Sequence, residues 1–134
     1  MEGEEFRNTV AVYDDPHKKD TRKAGKVLNP NFWRLDDNKM KERQAISKHL
    51  RCLARTDPCD KRLFVEMLKA NTQDHYIVAT GDQTTDAKAL EASDIGITIN
   101  SGSDFTKTKA GILFWRNDGF ALAKDIVEHG RSLY

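Results

Sequence analysis

From Asp57 to the end of the chain, short apolar runs alternate with segments whose apolar residues fall at helical spacing. That alternation constrains the fold more than any other feature. "DPCDKRLFVEMLKA" opens on an acid, Asp57, and then Pro58, an N-cap followed by a proline at the first helical position. Leu63, Phe64, Met67 and Leu68 then form one apolar stripe. "HYIVAT" is strand-sized and continuously apolar at its centre, as buried parallel strands are. "TTDAKALEAS" reads as a short helix, "DIGITI" as a strand and "SDFTKTKA" as a further helical turn or two. "GILFW" reads as another strand and "GFALAKDIVEHGRSL" as a last amphipathic helix. Strands that alternate with helices at this spacing build parallel pairs, so the expectation is an α/β fold with a Rossmann-like parallel sheet.

The chain changes character near Lys39. Before it, "YDDPHKKDTRKAGKVLNPNFWRLDDNK" is charged, carries Pro and Gly, and shows little periodicity. It reads as a long loop or insertion, pinned to the core by Trp33 with Phe32. This divides the chain into residues 1–38 and residues 39–134. In the second part, "MKERQAISKHL" has Met40, Ala45, Ile46, His49 and Leu50 on an amphipathic helix, and "RCLART" is a short strand candidate.

Composition excludes several classes. The 134 residues carry a formal net charge of +1 although 32% of them are charged, which argues against a general nucleic-acid or membrane-surface binder. No apolar run approaches the roughly 20 residues needed to cross a bilayer. "MEGEEFRN" lacks the apolar core of a signal peptide. Cys52 and Cys59 lack zinc or redox spacing and read as reduced thiols. His17, His49, His75 and His129 are scattered and read as surface or helix-end residues.

One corner carries candidate chemistry. In an open parallel sheet, ligands bind beyond the C-terminal ends of the strands, and "IVATGDQTTDAKAL" places Asp82 at such an end. Gly81 lets the chain turn there without a side-chain clash. A hard cation such as Mg²⁺ takes oxygen ligands, often one or two carboxylates with phosphate oxygens and water. Asp82 is placed for that role. Asp86, in the first turn of the next helix, is able to reach back to the same site directly, or through water and backbone donors. The spacing alone leaves a second reading open, since both acids also suit helix capping.

The residues around the corner carry a resemblance. "TGDQTTDAKALEASDIGI" resembles the "TGDGxNDAPALKxADIGI" segment of P-type cation-transporting ATPases. "SGSDFTK" is similar to that family's "GSGTDVAK", "LARTDPCDK" to its "LARxSPxDK", and the final helix to one that ends in "GRxxY" before a membrane span. The four motifs occur in family order and cover about Leu50 to Tyr134. "EGEEFR" ahead of an insertion, then "LRCLARTDPCDK", and Thr84 are similar to the calcium pumps of plasma-membrane type. In those pumps an "EGxEFR" strand precedes the insertion. The resemblance implies a haloacid-dehalogenase-type phosphorylation domain, of which this chain would be the C-terminal half, a partial domain.

It also implies roles. In the family an aspartate attacks the γ-phosphate of ATP, the substrate, and an aspartyl-phosphate splits transport into two half-reactions. Mg²⁺ and a lysine offset the phosphate charge. By resemblance Lys61 is that lysine and Asp82 the Mg²⁺ ligand. Asp86 hydrogen-bonds within the site and positions the loop, while Thr80, Gly81 and Thr85 shape the phosphate-site loop. The phosphorylated "DKTGT" motif is not in this sequence. The implied partners are therefore the nucleotide-binding, actuator and membrane domains of a pump, with calcium or another cation as its cargo and the cytosolic face of a membrane as its place. The fragment alone is expected to be inactive.

The loop departs from the family pattern at three positions. Gln83 stands for Gly, Thr85 for Asn and Lys88 for Pro. Thr85 keeps a hydroxyl but loses the amide donors. Gln83 adds bulk near the ligand, and strain if its backbone must be left-handed. The "LxDDNF" acids that the family carries after the last strand are altered to "FWRNDGF", with Trp115 and Arg116. These departures motivate a second reading, a non-catalytic remnant that serves as a structural or interaction module. A third reading, a stand-alone phosphatase of the haloacid-dehalogenase type, needs a nucleophile near the N-terminus. Asp14 and Asp15 after "TVAVY" are the only candidates.

Overall fold

The structure, a computed structural model, describes residues 1–13, 33–71, 75–115 and 119–133. They form two units, Met1–His75 and Tyr76–Tyr134.

The first unit begins with a helix, α1 (Gly3–Val10), where the resemblance implies a strand at "EGEEFR". Glu4 and Glu5 sit in the first turn, at the positive end of the helix. Phe6 and Val10, four apart, are both fully buried on one face. That local amphipathicity favours the helix, and after it the backbone becomes extended in β1 (Ala11–Tyr13). β1 pairs antiparallel with β2 (Trp33–Leu35), in a register that sets Ala11 against Leu35 and Tyr13 against Trp33. The Tyr13 and Trp33 rings meet edge to face with centroids 5.4 Å apart. Trp33 packs on the core of this unit as expected, whereas Phe32, Asp14, Asp15 and the charged stretch between β1 and β2 lie outside the described residues.

A single 3-10 turn leads into α2 (Met40–His49). The buried face of α2 differs from the one its apolar residues suggest. Met40, Ala45 and His49 are exposed, and Arg43 is buried in line with Ile46 and Leu50. Arg43 Nη2 lies 3.9 Å from the exposed Asp37 carboxylate, a long ion pair for a side chain only 3% exposed. The strand expected at "RCLART" does not form. Ala54 makes an isolated parallel bridge to Glu2, and Arg55 turns left-handed at φ 51°, which ends the extended run. α3 (Pro58–Asn71) starts where Asp57 and Pro58 predict it. Leu63 and Met67 are fully buried with Phe6, Val10 and Cys59, and Phe64 and Leu68 flank them.

The second unit is the alternating part. β3 (Val78–Thr80), β4 (Ile95–Ile99) and β5 (Ile112–Phe114) form a three-stranded parallel sheet in that order. α4 (Ala87–Ala92) links the first two strands and α5 (Asp104–Lys109) the next two, and the helices pack on each other and on β4. The register places Thr80 beside Ile97, and Ile99 beside Phe114, so the three strand ends open on one side. α6 (Gly119–Ser132) follows. The fold is thus mixed α/β with a parallel sheet. β3 is not the buried strand its apolar run predicts. Among the described residues it pairs only with β4, and Val78 and Thr80 stay exposed at that edge. No helix among the described residues is long and apolar enough to cross a membrane.

Candidate functional site

The chain leaves β3 at Thr80 and enters a tight corner. Gly81 donates its N–H to the Ile97 carbonyl at 3.1 Å, which continues the sheet pairing by one bond. Asp86 then turns back over the corner. Its carboxylate accepts the N–H groups of Asp82 at 3.2 Å and Gln83 at 3.1 Å. Gln83 and Asp86 form a reciprocal capping box around the 3-10 turn Thr84–Asp86, which feeds α4. Gly81 is required by close approach: a Cβ there would lie 2.4 Å from the Asp86 Cβ. No described glycine is left-handed, so conformational freedom is not the reason.

Gln83 is extended, at φ −97° and ψ 155°, so the left-handed strain considered for a residue replacing glycine does not arise. Its side chain has become part of the cap instead. Thr85 is exposed within the 3-10 turn, and Lys88 lies in the first turn of α4.

Asp82 is exposed, and its carboxylate has no hydrogen bond or ion pair among the described residues. It borders a cavity of about 90 Å³ lined by Thr80, Gly81, Asp82, Ile97, Thr98, Ile99 and Phe114. These are the C-terminal ends of all three strands, where open α/β sheets take ligands. Among the described residues, no three His, Cys, Asp or Glu side chains cluster closely enough to hold a metal ion. The donor set still fits Mg²⁺, which needs only one or two carboxylates and takes its remaining oxygens from water and phosphate. Among the described residues Asp82 leaves its carboxylate open. Asp86 is committed to backbone donors, so it acts as a brace.

The structure therefore brings Thr80, Gly81, Asp82, Thr85 and Asp86 into one loop of the second unit. Lys61 belongs to the first unit, half-buried in the first turn of α3.

Sequence reasoning missed the charged cluster beside Lys61. Arg7 Nη1 donates to both Asp60 oxygens, at 2.7 and 2.6 Å, and to Asp57 at 3.0 Å. Asp60 Oδ2 also accepts the Asp57 N–H at 2.8 Å. Burial pushes the Asp60 carboxyl above its ordinary range, and the Asp57 N–H and the Arg7 guanidinium pull against that rise. The three-residue spacing of Asp57 and Asp60 was a signal for a self-capped helix start, but nothing local pointed to Arg7. Also missed was the turn at Gly102 and Ser103, where the Ser103 N–H donates to the Asp82 carbonyl at 2.8 Å.

No protein-family model matches the chain. Among curated proteins, it is 37% identical over 95 residues to the plasma-membrane-type calcium-transporting ATPase 9 of Arabidopsis thaliana, a match that covers 70% of this chain and 8% of that protein. Identity to ATPase 8 of the same type and organism is 37% over 94 residues, covering 69% of this chain and 8% of the relative. The endoplasmic reticulum calcium ATPase srcA of Aspergillus fumigatus is 34% identical over 93 residues, covering 69% of this chain and 9% of the relative. A solved structure of the catalytic domain of the CPx-ATPase CopB-B is similar at 30% identity and a TM-score of 0.43, over 59% of this chain and 31% of that one. The chain thus spans less than a tenth of the length of these curated relatives, at 8% and 9%. Over the matched span it is homologous to the calcium-transporting ATPases of plasma-membrane type, within the P-type cation-transporting family.

Proposed function

We propose that this chain supplies part of a phosphorylation domain of the haloacid-dehalogenase type in an ATP-driven pump, with calcium as the transported ion. The observation that carries the reading is Asp82. Its backbone is tied down, its carboxylate is unpaired among the described residues, and it stands at the open ends of a parallel sheet. In this reading Asp82 holds Mg²⁺, and Asp86 holds the loop by accepting its backbone N–H groups. Thr80, Gly81 and Thr85 belong to the phosphate-site loop, and Lys61 is the lysine that the family resemblance assigns to phosphoryl charge. When bound, Mg²⁺ supplies charge neutralisation for the phosphoryl oxygens. The aspartate that takes up phosphate from ATP belongs to a part of the pump outside these residues, as do the nucleotide-binding, actuator and membrane domains. The domain works on the cytosolic face of a membrane, and the chain alone does not hydrolyse ATP.

Calorimetric titration of Mg²⁺ in the presence of inorganic phosphate tests the reading. Binding is expected to saturate in the wild type and to be lost in Asp82→Asn. Equal heats from both proteins would sink it. That result would favour a second reading, a structural or interaction module without pump chemistry. The observation behind that reading is Gln83, whose side chain serves the cap, a structural task.

A further inference from the structure

Asp82 is held from two sides. On one side Asp86 accepts its N–H. On the other, the turn before α5 takes its carbonyl: the Ser103 N–H donates to Asp82 O at 2.8 Å. Gly102 makes this approach possible. A Cβ on Gly102 would lie 3.1 Å from Asp82 O, 3.0 Å from Ile99 O and 2.9 Å from the Thr98 hydroxyl oxygen. Three oxygens therefore converge on the space where a side chain would stand, and Gly102 itself is buried.

Ser103 is fixed in turn by the helix it starts. Its hydroxyl accepts the Thr106 N–H at 3.2 Å and lies 2.6 Å from the Thr106 hydroxyl, and Thr106 is fully buried. The start of α5 is thus a rigid strut that ends on the Asp82 carbonyl. Both backbone polar groups of Asp82 are thus hydrogen-bonded. Its carboxylate is the part left unpaired among the described residues. A metal ligand gains affinity from this kind of pre-organisation.

We infer that Gly102 and Ser103 are positioning residues for cation binding at Asp82, and that α5 sets the affinity of the site through the Ser103 N–H. The inference rests on the reading of Asp82 as a cation ligand and goes beyond it, by assigning control of that ligand to a turn 20 residues away.

Ser103 allows a controlled test. Its φ of −62° and ψ of 148° suit proline. Ser103→Ala and Ser103→Pro both lose the capping hydroxyl, but only the proline variant loses the N–H that holds Asp82. The probe is Mn²⁺ in place of Mg²⁺, read by paramagnetic broadening of the Thr80–Gln83 amide signals in the full chain. Ser103→Ala is expected to bind Mn²⁺ much as the wild type does, and Ser103→Pro about tenfold or more weakly, the range seen when a partner that orients a metal ligand is removed. A purely structural role would lower the thermal midpoints and leave Mn²⁺ affinity the same in the two variants, and that result overturns the inference. If Ser103→Pro does not fold, Gly102→Ala reads the same contact. It keeps every backbone bond but crowds the Asp82 carbonyl, so Mn²⁺ binding at the wild-type level would also overturn the inference. Undiminished Mn²⁺ binding by Asp82→Asn would instead overturn the cation reading itself.

Discussion

The carboxylate of Asp86 accepts the backbone N–H of Asp82 at 3.2 Å, so the second acid of the corner serves the first through its main chain. The same carboxylate takes the Gln83 N–H at 3.1 Å. Removing it leaves two donors at the start of a helix without a protein partner. Asp86→Ala is expected to lower stability by about 1–2 kcal/mol in urea unfolding, the size of a lost N-cap. Asp86→Asn keeps an acceptor oxygen and should lose less than half as much. An alanine variant as stable as the wild type would show that the brace is not used.

Gly81 is held to glycine by that brace. The distances from its would-be Cβ are 2.4 Å to Asp86 Cβ and 2.8 Å to Asp86 Cγ. Gly81→Ala should therefore cost about 2 kcal/mol, as overpacking does. Asp86→Gly removes the opposing atoms. In that background the same alanine should cost about 1 kcal/mol or less, a coupling that urea unfolding of the four proteins of the cycle measures. Equal costs in both backgrounds would mean that something other than Asp86 keeps position 81 small.

In the first unit the decisive pair is Arg7 and Asp60, with side-chain exposures of 12% and 0% and a closest approach of 2.6 Å. Arg7→Ala leaves a buried carboxylate supported mainly by the Asp57 N–H, and about 3–5 kcal/mol should be lost. The pH dependence has a definite sign. Burial raises the Asp60 pKa above 3.8, so the folded chain binds this proton more tightly than the unfolded chain does. The contribution of Asp60 is complete below 3.8 and declines as pH rises through the folded value. Asp60→Asn removes the titration. The stability of the wild type relative to Asp60→Asn should fall as pH rises above 3.8, and a rise there would refute the sign.

What could be read from the chain alone follows the range of each signal. Caps, helix-initiating proline and apolar runs act over a few residues, so the starts of α3 and α5 and the order β3, α4, β4, α5, β5, α6 were legible. So was the meeting of Asp82 and Asp86 at one corner, because a strand end and the next helix start are adjacent in sequence. The misses come from longer distances. Arg7 finds Asp60 across 53 residues, and no local pattern announces it. Ser103 meets Asp82 only because β3 and β4 are neighbours in the sheet. Arg43 stands on the buried face of α2 where Met40 was expected, with the Asp37 carboxylate 3.9 Å from its guanidinium. β3 is exposed although its run is apolar, since its neighbours in the sheet, and not its own residues, decide burial.

Thr98 offers a stabilising change. Its hydroxyl is buried in β4 without a hydrogen-bond partner among the described residues. An unmet buried hydroxyl costs about 1–3 kcal/mol. Thr98→Val keeps the shape and removes the group, so it should raise stability by about 1 kcal/mol in thermal or urea unfolding. A loss of stability would show that the hydroxyl has a partner in solution.

The β3 edge sets the behaviour of the chain on its own. Val78 and Ile95 stand side by side in register and are 40% and 39% exposed. Among the described residues, the outer side of β3 has no strand bonded to it. An apolar strand edge of this kind is a template for pairing with another chain. The chain should therefore self-associate as concentration rises, seen as a growing sedimentation coefficient. Val78→Lys places a charge on that edge at an already exposed position. It should suppress association while leaving the urea midpoint of the dilute protein within about 0.5 kcal/mol of the wild type, the usual range for a surface substitution. A wild-type chain that stays a single monomeric species at every concentration would show that the edge is covered in solution.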